Sequence, residues 1–136
     1  LDMYDKGMEI FFHYVLGKPI RNDREQVDPI KITNKLIENL SNTIKEQGVK
    51  VELCFEEMTI PETNSYLVKT LLELIIAEEI KKCDAGISIR TRNNTFSISK
   101  EKGTDYPEIY GIFAVLLSDL NIEFQYDEKN IALRFK

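Results

Sequence analysis

The stretch Lys45-Glu46-Gln47-Gly48-Val49-Lys50-Val51-Glu52-Leu53 changes its period at a single residue. Before Gly48, apolar side chains recur at helical spacing through Ile30, Leu36, Ile37, Leu40 and Ile44, and Asp28-Pro29 supplies an N-cap and a first-turn proline. After it, Val49, Val51, Leu53 and Phe55 alternate with Lys50, Glu52 and Cys54, the two-residue period of a half-buried strand. A helix from about Asp28 to Gly48 therefore hands over to a strand within one residue.

Downstream, Thr59 to Asn64, with Pro61, opens a long third helix. It carries Leu67, Val68, Leu71, Leu72, Leu74, Ile75, Ile76 and Ile80 as far as about Lys82, and its density of apolar residues makes it the most buried helix. Ile87 and Ile89 are separated from Phe96 and Ile98 by Arg92-Asn93-Asn94-Thr95, which predicts a hairpin with an Asn-Asn turn. A further helix is expected from about Asp105 to Asp119, and a second hairpin closes the chain through Ile122, Phe124 and Tyr126, then Ile131, Leu133 and Phe135. Upstream, Leu1, Tyr4, Met8, Phe11, Phe12, Val15 and Leu16 mark an amphipathic helix over residues 2–16, stopped by Gly17 and Pro19. The polar segment 18–27 reads as a linker. The expected class is α+β: a two-layer sandwich with a mostly antiparallel sheet of about five strands, helices on one face, and one preceding helix.

Composition narrows the function. With 136 residues, 43% of them hydrophobic, the chain has enough material for one domain with a proper core. The net charge of -5, from 18 basic and 23 acidic residues mixed along the sequence, gives no electrostatic footprint for nucleic acid. No apolar run approaches the ~20 residues that span a bilayer, and the N-terminus lacks the order of a signal peptide, so a cytoplasmic location with no membrane partner is expected. The sequence opens at Leu1 in a segment already helical in character, which suggests an element that begins further upstream.

Few residues can carry chemistry. Cys54 and Cys83 have no CxxC spacing and no nearby histidine, so they read as structural thiols rather than a zinc site or a disulfide. The one histidine, His13, lies in Phe11-Phe12-His13-Tyr14 on the flank of an apolar stripe; it is followed by a tyrosine rather than a polarising acid, and is read as structural. Neither GxGxxG nor GxxxxGK[ST] occurs. The acidic pairs Glu56-Glu57, Glu78-Glu79 and Asp127-Glu128 read as solvated faces before they read as metal ligands. No catalytic, cofactor-binding or metal-ligating residue is assigned.

From Asp28 onward the element order resembles the ATP-binding domain of sensor histidine kinases, the GHKL or Bergerat fold. Val27-Asp28-Pro29 and Lys45 to Leu53 look like its entry, and Leu67-Val68-Lys69-Thr70-Leu71-Leu72-Glu73-Leu74-Ile75 is similar to the helix bearing the kinase N-box. In an active kinase that helix carries an asparagine that holds Mg-ATP; Ile76, Ala77 or Glu78 stands near that position. Only Ser99 to Pro107 stands where a kinase places a DxGxG motif, an ATP lid and a GxGxG motif.

The ChpT-type histidine phosphotransferases of alphaproteobacteria keep this scaffold without the nucleotide site. Phe11-Phe12-His13-Tyr14-Val15-Leu16-Gly17 looks like the end of the second helix of their dimerisation hairpin, and Tyr106 to Leu117 resembles their final helix. The resemblance implies residues 1–17 as part of the hairpin, 18–27 as linker and 28–136 as a degenerate kinase domain. It further implies a phosphorelay role in cell-cycle regulation, exchanging phosphate between receiver domains and drawing it from a hybrid histidine kinase, as a homodimer. The phosphoacceptor histidine is then expected upstream of Leu1, with no cofactor of its own and Mg²⁺ supplied by the partner receiver. The rival readings are a non-catalytic adaptor on the same sandwich and an ATP-dependent histidine kinase.

Overall fold

The computed structural model describes residues 3–17, 24–58, 60 and 62–136. In chain order the elements are α1 (Met3–Leu16), β1 (Arg24–Glu25), α2 (Pro29–Asn39), α3 (Ser41–Gln47), β2 (Lys50–Phe55), β3 (Thr63–Asn64) and α4 (Ser65–Lys82). They continue with β4 (Gly86–Arg92), β5 (Thr95–Lys100), α5 (Ile109–Ser118), β6 (Ile122–Tyr126) and β7 (Asn130–Phe135).

The deciding stretch behaves as its period indicates. Gly48 takes the left-handed conformation at φ 66°, while its N–H donates to the carbonyl of Lys45 and that of Val49 to the carbonyl of Ile44. The helix is thereby closed one residue before β2 begins, with a residue that has no Cβ penalty at positive φ. At the other end, Asp28 Oδ1 accepts from the N–H groups of Ile30 and Lys31 at 3.1 and 3.2 Å, the expected cap.

A five-stranded sheet runs in the order β2-β4-β5-β7-β6. Three of its four pairings are antiparallel; β2 and β4 are parallel because α4 carries the chain across between them. Asn93 and Asn94, at φ 52° and 56°, form the two-residue turn between β4 and β5, a geometry that matches the twist of the paired strands. The inward side chains Ile87, Ile89, Phe96, Ile98, Ile131 and Leu133 share one core with seven buried apolar residues of α4, Leu67 to Ile80, and with Tyr110, Phe113, Leu116 and Leu117 of α5. Ile10 of α1 is fully buried in the same core, so α1 packs on α4 and α5. Polar residues occupy most of the outward positions of β4, β5 and β7. The result is the two-layer α+β sandwich expected, with a mixed sheet.

Three boundaries differ from expectation. The helix expected from Asp28 to Gly48 is divided at Leu40, where Asn39, Ser41 and Asn42, whose side chains compete for backbone hydrogen bonds, flank the break. The third helix starts at Ser65 rather than at Thr59: Asn64 caps it, its side chain accepting from Leu67 N–H at 3.1 Å, and Thr63–Asn64 pairs with Arg24–Glu25 in a small antiparallel ladder. Residues 59 and 61 lie outside the described set, as do residues 18–23 of the expected linker. The last helix begins at Ile109 instead of Asp105, because Pro107 disfavours a helical conformation at Tyr106. No described helix is long and apolar enough to cross a membrane.

Candidate functional site

On α4, Glu79 follows Ile75 and Ile76 on the inward face and is 0% exposed. On β5, the alternation that buries Phe96 and Ile98 buries Lys100 as well. The two meet: Lys100 Nζ lies 2.8 Å from Glu79 Oε1, with their side chains 1% and 0% exposed. The other carboxylate oxygen accepts from Tyr110 Oη at 2.7 Å. Lys100 also donates to Thr104 Oγ1 and stands 4.2 Å from the centroid of the Tyr106 ring, a cation over a π face. Four segments, α4, β5, the 101–108 connection and α5, thus converge on one desolvated ion pair.

An aromatic cluster encloses the pair. Tyr106 stacks on Tyr110 at 5.7 Å and meets Tyr126 edge-on at 5.0 Å, and Tyr110 contacts Phe113 and Phe124 at 5.6 and 5.7 Å. Burial, followed by the Glu79 charge, pushes the Tyr110 phenol far above its ordinary value. Burial likewise raises Tyr106, with Lys100 opposing it. Tyr106 Oη is buried without a hydrogen-bond partner among the described residues.

The connection over this pair is short and tied down. Glu101 N–H donates to the carbonyl of Gly86, Thr104 N–H to that of Glu128, and Lys82 Nζ to that of Asp105 at 3.2 Å. Chemically the arrangement fixes a loop and leaves no carboxylate oxygen open. Both oxygens of Glu79 have donors, as a buried carboxylate requires.

The residues singled out in the sequence are dispersed. His13 lies half-buried on α1. Cys54 is exposed on β2; Cys83 is buried, its thiol donating to the carbonyl of Ala85 at 3.4 Å. Ile76 and Ala77 are core residues, and Glu78 pairs with Lys82 at 3.1 Å on the surface. The reading of Glu78-Glu79 as a solvated pair is corrected at Glu79, because consecutive helical residues point about 100° apart and only Glu78 reaches the surface. Asp127 accepts from the N–H groups of Lys129 and Asn130 at 3.0 and 2.9 Å, and these bonds hold its carboxyl below the usual carboxylate range. Among the described residues no group of three His, Cys, Asp or Glu side chains is placed to hold a metal.

Two grooves adjoin α4. One, of about 430 Å³, lies between α1, α4 and α5 and is walled by Phe11, Leu74, Pro107, Ile109 and Phe113. The other, of about 1320 Å³, runs between α2 and α4 past Lys31, Lys35, Lys69 and Glu73. Along α1, Phe11, Phe12, Tyr14, Val15 and Leu16 remain 37–60% exposed.

No family model and no curated protein matches the sequence. Solved structures do match in shape. The cytoplasmic segment of histidine kinase QseC superposes with a TM-score of 0.79 at 7% identity, covering 100% of this chain and 95% of that one. The Acinetobacter baumannii histidine kinase AdeS gives 0.70 at 12% identity, covering 96% and 73%. Histidine kinase ThkA, in a complex with the response regulator TrrA, gives 0.57 at 13% identity, covering 96% of this chain and 46% of that one. The chain therefore has the fold of histidine-kinase catalytic domains.

Proposed function

We propose that this chain is a two-component signalling module that relays phosphate between receiver domains, a histidine phosphotransferase of the ChpT type on a kinase-like scaffold that binds no ATP. The likeness to histidine kinases, one of them in complex with a response regulator, supports the coarser half of the reading. The observation that carries the finer half is the Glu79–Lys100 pair. It is buried in the turn of α4 that carries Ile76, Ala77 and Glu78, the positions where the resemblance puts the kinase's nucleotide asparagine. The 101–108 connection closes over it where a kinase would need a lid. An ion pair already satisfied by Tyr110 and Thr104 gives a triphosphate and its metal nothing to displace cheaply.

In this reading the scaffold positions the transfer, while the receiver contributes Mg²⁺ and the acceptor aspartate. The phosphoryl group resides on a histidine upstream of Leu1. The exposed apolar stripe of α1 from Phe11 to Leu16 pairs with its counterpart in a homodimeric four-helix bundle.

Two assays test it. Acid-labile label is followed from a phosphorylated receiver to the full-length protein, with and without the upstream histidine. Thermal melts are run with and without Mg-ATP, since a nucleotide held by the folded state raises the midpoint. Label that moves only when the histidine is present, with an unmoved midpoint, is the expected result. A raised midpoint restores the kinase reading, and receiver binding without label transfer installs an adaptor in its place.

A further inference from the structure

The face of the sheet turned away from the helices carries a pattern that the proposed relay does not use. On the three inner strands its outward positions are Ser88, Arg90 and Arg92 on β4, Thr95, Ser97 and Ser99 on β5, and Asn130, Ala132 and Arg134 on β7, and the edge strands flank them with Lys50, Glu52 and Cys54 on β2 and Glu123 and Gln125 on β6. The strand register sets these in rows. Arg92 lies opposite Thr95, which lies opposite Arg134, and in the next row Arg90 lies opposite Ser97, which lies opposite Ala132. Three guanidinium groups therefore surround a floor of small and hydroxyl side chains. Arg90 and Arg92, two residues apart, are separated by about 7 Å, and Arg92 and Arg134, two strands apart, by about 10 Å.

We infer that this open sheet face, centred on Arg90, Arg92 and Arg134, is a docking surface for a carboxylate-rich segment of a partner protein.

Four observations carry the inference. First, the residue choice is selective: the chain has thirteen lysines and five arginines, yet the two central rows take arginine alone as their cation. Arginine presents a planar fork that binds a carboxylate through two parallel hydrogen bonds, which lysine cannot do. Second, no ion pair within the described residues neutralises Arg92 or Arg134: Glu123, opposite Arg134, is paired with Lys136 at 3.2 Å, and Glu56 at the rim is outside ion-pair distance. Three like charges on one small face repel each other, and an acidic partner relieves that repulsion. Third, Thr95, Ser97 and Ala132 are short, so an approaching backbone can reach the floor, which presents the hydroxyl of Ser97 and that of Thr95, the latter donating to the Asn93 carbonyl at 3.5 Å. Fourth, no aromatic residue lies at these outward positions, so the face lacks the stacking platforms that single-stranded nucleic acid uses.

The inference stands apart from the phosphotransfer reading, because a chain that passes no phosphate would still bind through this face. The test uses the full chain, ¹⁵N-labelled, titrated with a fluorescent oligoglutamate peptide. A neutral peptide of equal length, an oligothymidylate and inorganic phosphate at matched ionic strength serve as comparators. Saturable, salt-sensitive peptide binding is expected, with amide shifts concentrated at Thr95, Ser97 and Ala132. R92E/R134E should weaken it about tenfold or more, while K45E/K81E, the same charge change on α3 and α4, should leave it within about twofold. All these positions except Ala132, Thr95 and Ser97 are exposed, so thermal melts check that both variants fold. Equal weakening by the two variants, absence of saturable binding, or tighter binding of the oligonucleotide or of phosphate alone overturns the proposal. Sedimentation showing that the face pairs with a second copy of this chain, and releases it in R92E/R134E, does so as well.

Discussion

Replacing Lys100 with methionine keeps a buried aliphatic stem and removes the ammonium, with its bonds to Glu79 and Thr104 and its contact with the Tyr106 ring. Glu79 is then left in a site that is 0% exposed, with Tyr110 as its remaining donor. Breaking one partner of such a pair costs about 3–5 kcal/mol, because the surviving charge stays desolvated. A domain of this size has a stability on the order of 5–15 kcal/mol, so the loss consumes a large share of it. It should lower the melting midpoint by about 12–20 °C, at roughly 4 °C per kcal/mol. Glu79→Met should cost a similar amount from the other side, with Lys100 stranded over the Tyr106 ring and Thr104. The double variant is the discriminating one. With no charge to bury, apolar replacement of the pair is neutral or gains about 1–4 kcal/mol, against about 1–3 kcal/mol for the unpaired Tyr110 hydroxyl. It should therefore lie close to the unsubstituted protein, giving a large coupling energy. Urea unfolding followed by circular dichroism, with the slope checked for constancy, reads all four corners of the cycle. A Lys100→Met loss under about 1 kcal/mol, or single losses that add within about 0.5 kcal/mol, would refute the claim that the pair acts as one buried unit.

The raised phenols of Tyr106 and Tyr110 favour the neutral form in the folded state. Stability should stay level up to the ordinary tyrosine value near 10 and fall above it, as unfolded tyrosines ionise first. Alkaline absorbance titration should show Tyr110 ionising only with unfolding and Tyr106 ionising above the ordinary tyrosine value, and Tyr110→Phe should flatten the fall. Asp127, held low by the N–H groups of Lys129 and Asn130, contributes stability above the usual carboxylate range that is lost as pH falls through its lowered value. Amide exchange at Lys129 and Asn130 should accelerate in Asp127→Ala at neutral pH and differ little from the parent in acid. Ile10→Ala, which empties a fully buried site between α1 and the domain, should destabilise by about 2–5 kcal/mol, and proteolysis should then cut within α1 first.

The fold was legible wherever one local rule had no competitor. Gly48 both ends a helical period and begins an alternating one, and the left-handed φ at that residue carries the exchange. Asn93-Asn94 tolerates positive φ at two successive positions, so the hairpin followed from two residues. Expectation failed where tertiary pairing overrode it. Thr63–Asn64 is too short to show alternation, and its strand character comes from Arg24–Glu25, nearly forty residues earlier. The expected start of α5 at Asp105 fails because Pro107, two residues later, disfavours a helical conformation at Tyr106.

The candidate site was hidden for a different reason. Glu79 and Lys100 are 21 residues apart, on a helix and a strand whose relative placement no local pattern reveals. Each nevertheless breaks the pattern of its own element. Lys100 follows Phe96 and Ile98 in the inward phase of β5, and Glu79 falls three or four residues from Ile75 and Ile76, and seven from Leu72, on the apolar face of α4. Taken singly, each violation invites relabelling as an element end or a solvated face. Taken together, they have opposite signs and sit at the ends of elements that the hairpin brings back towards the helix. A buried acid is tolerable only beside a buried base, so two such violations in one small domain predict each other. Tyr110, four residues into the stretch from Tyr106 and on the inward face of α5, completes the pattern as the remaining donor a buried carboxylate needs. The legible signal for this site was the pair of residues that fit their elements worst.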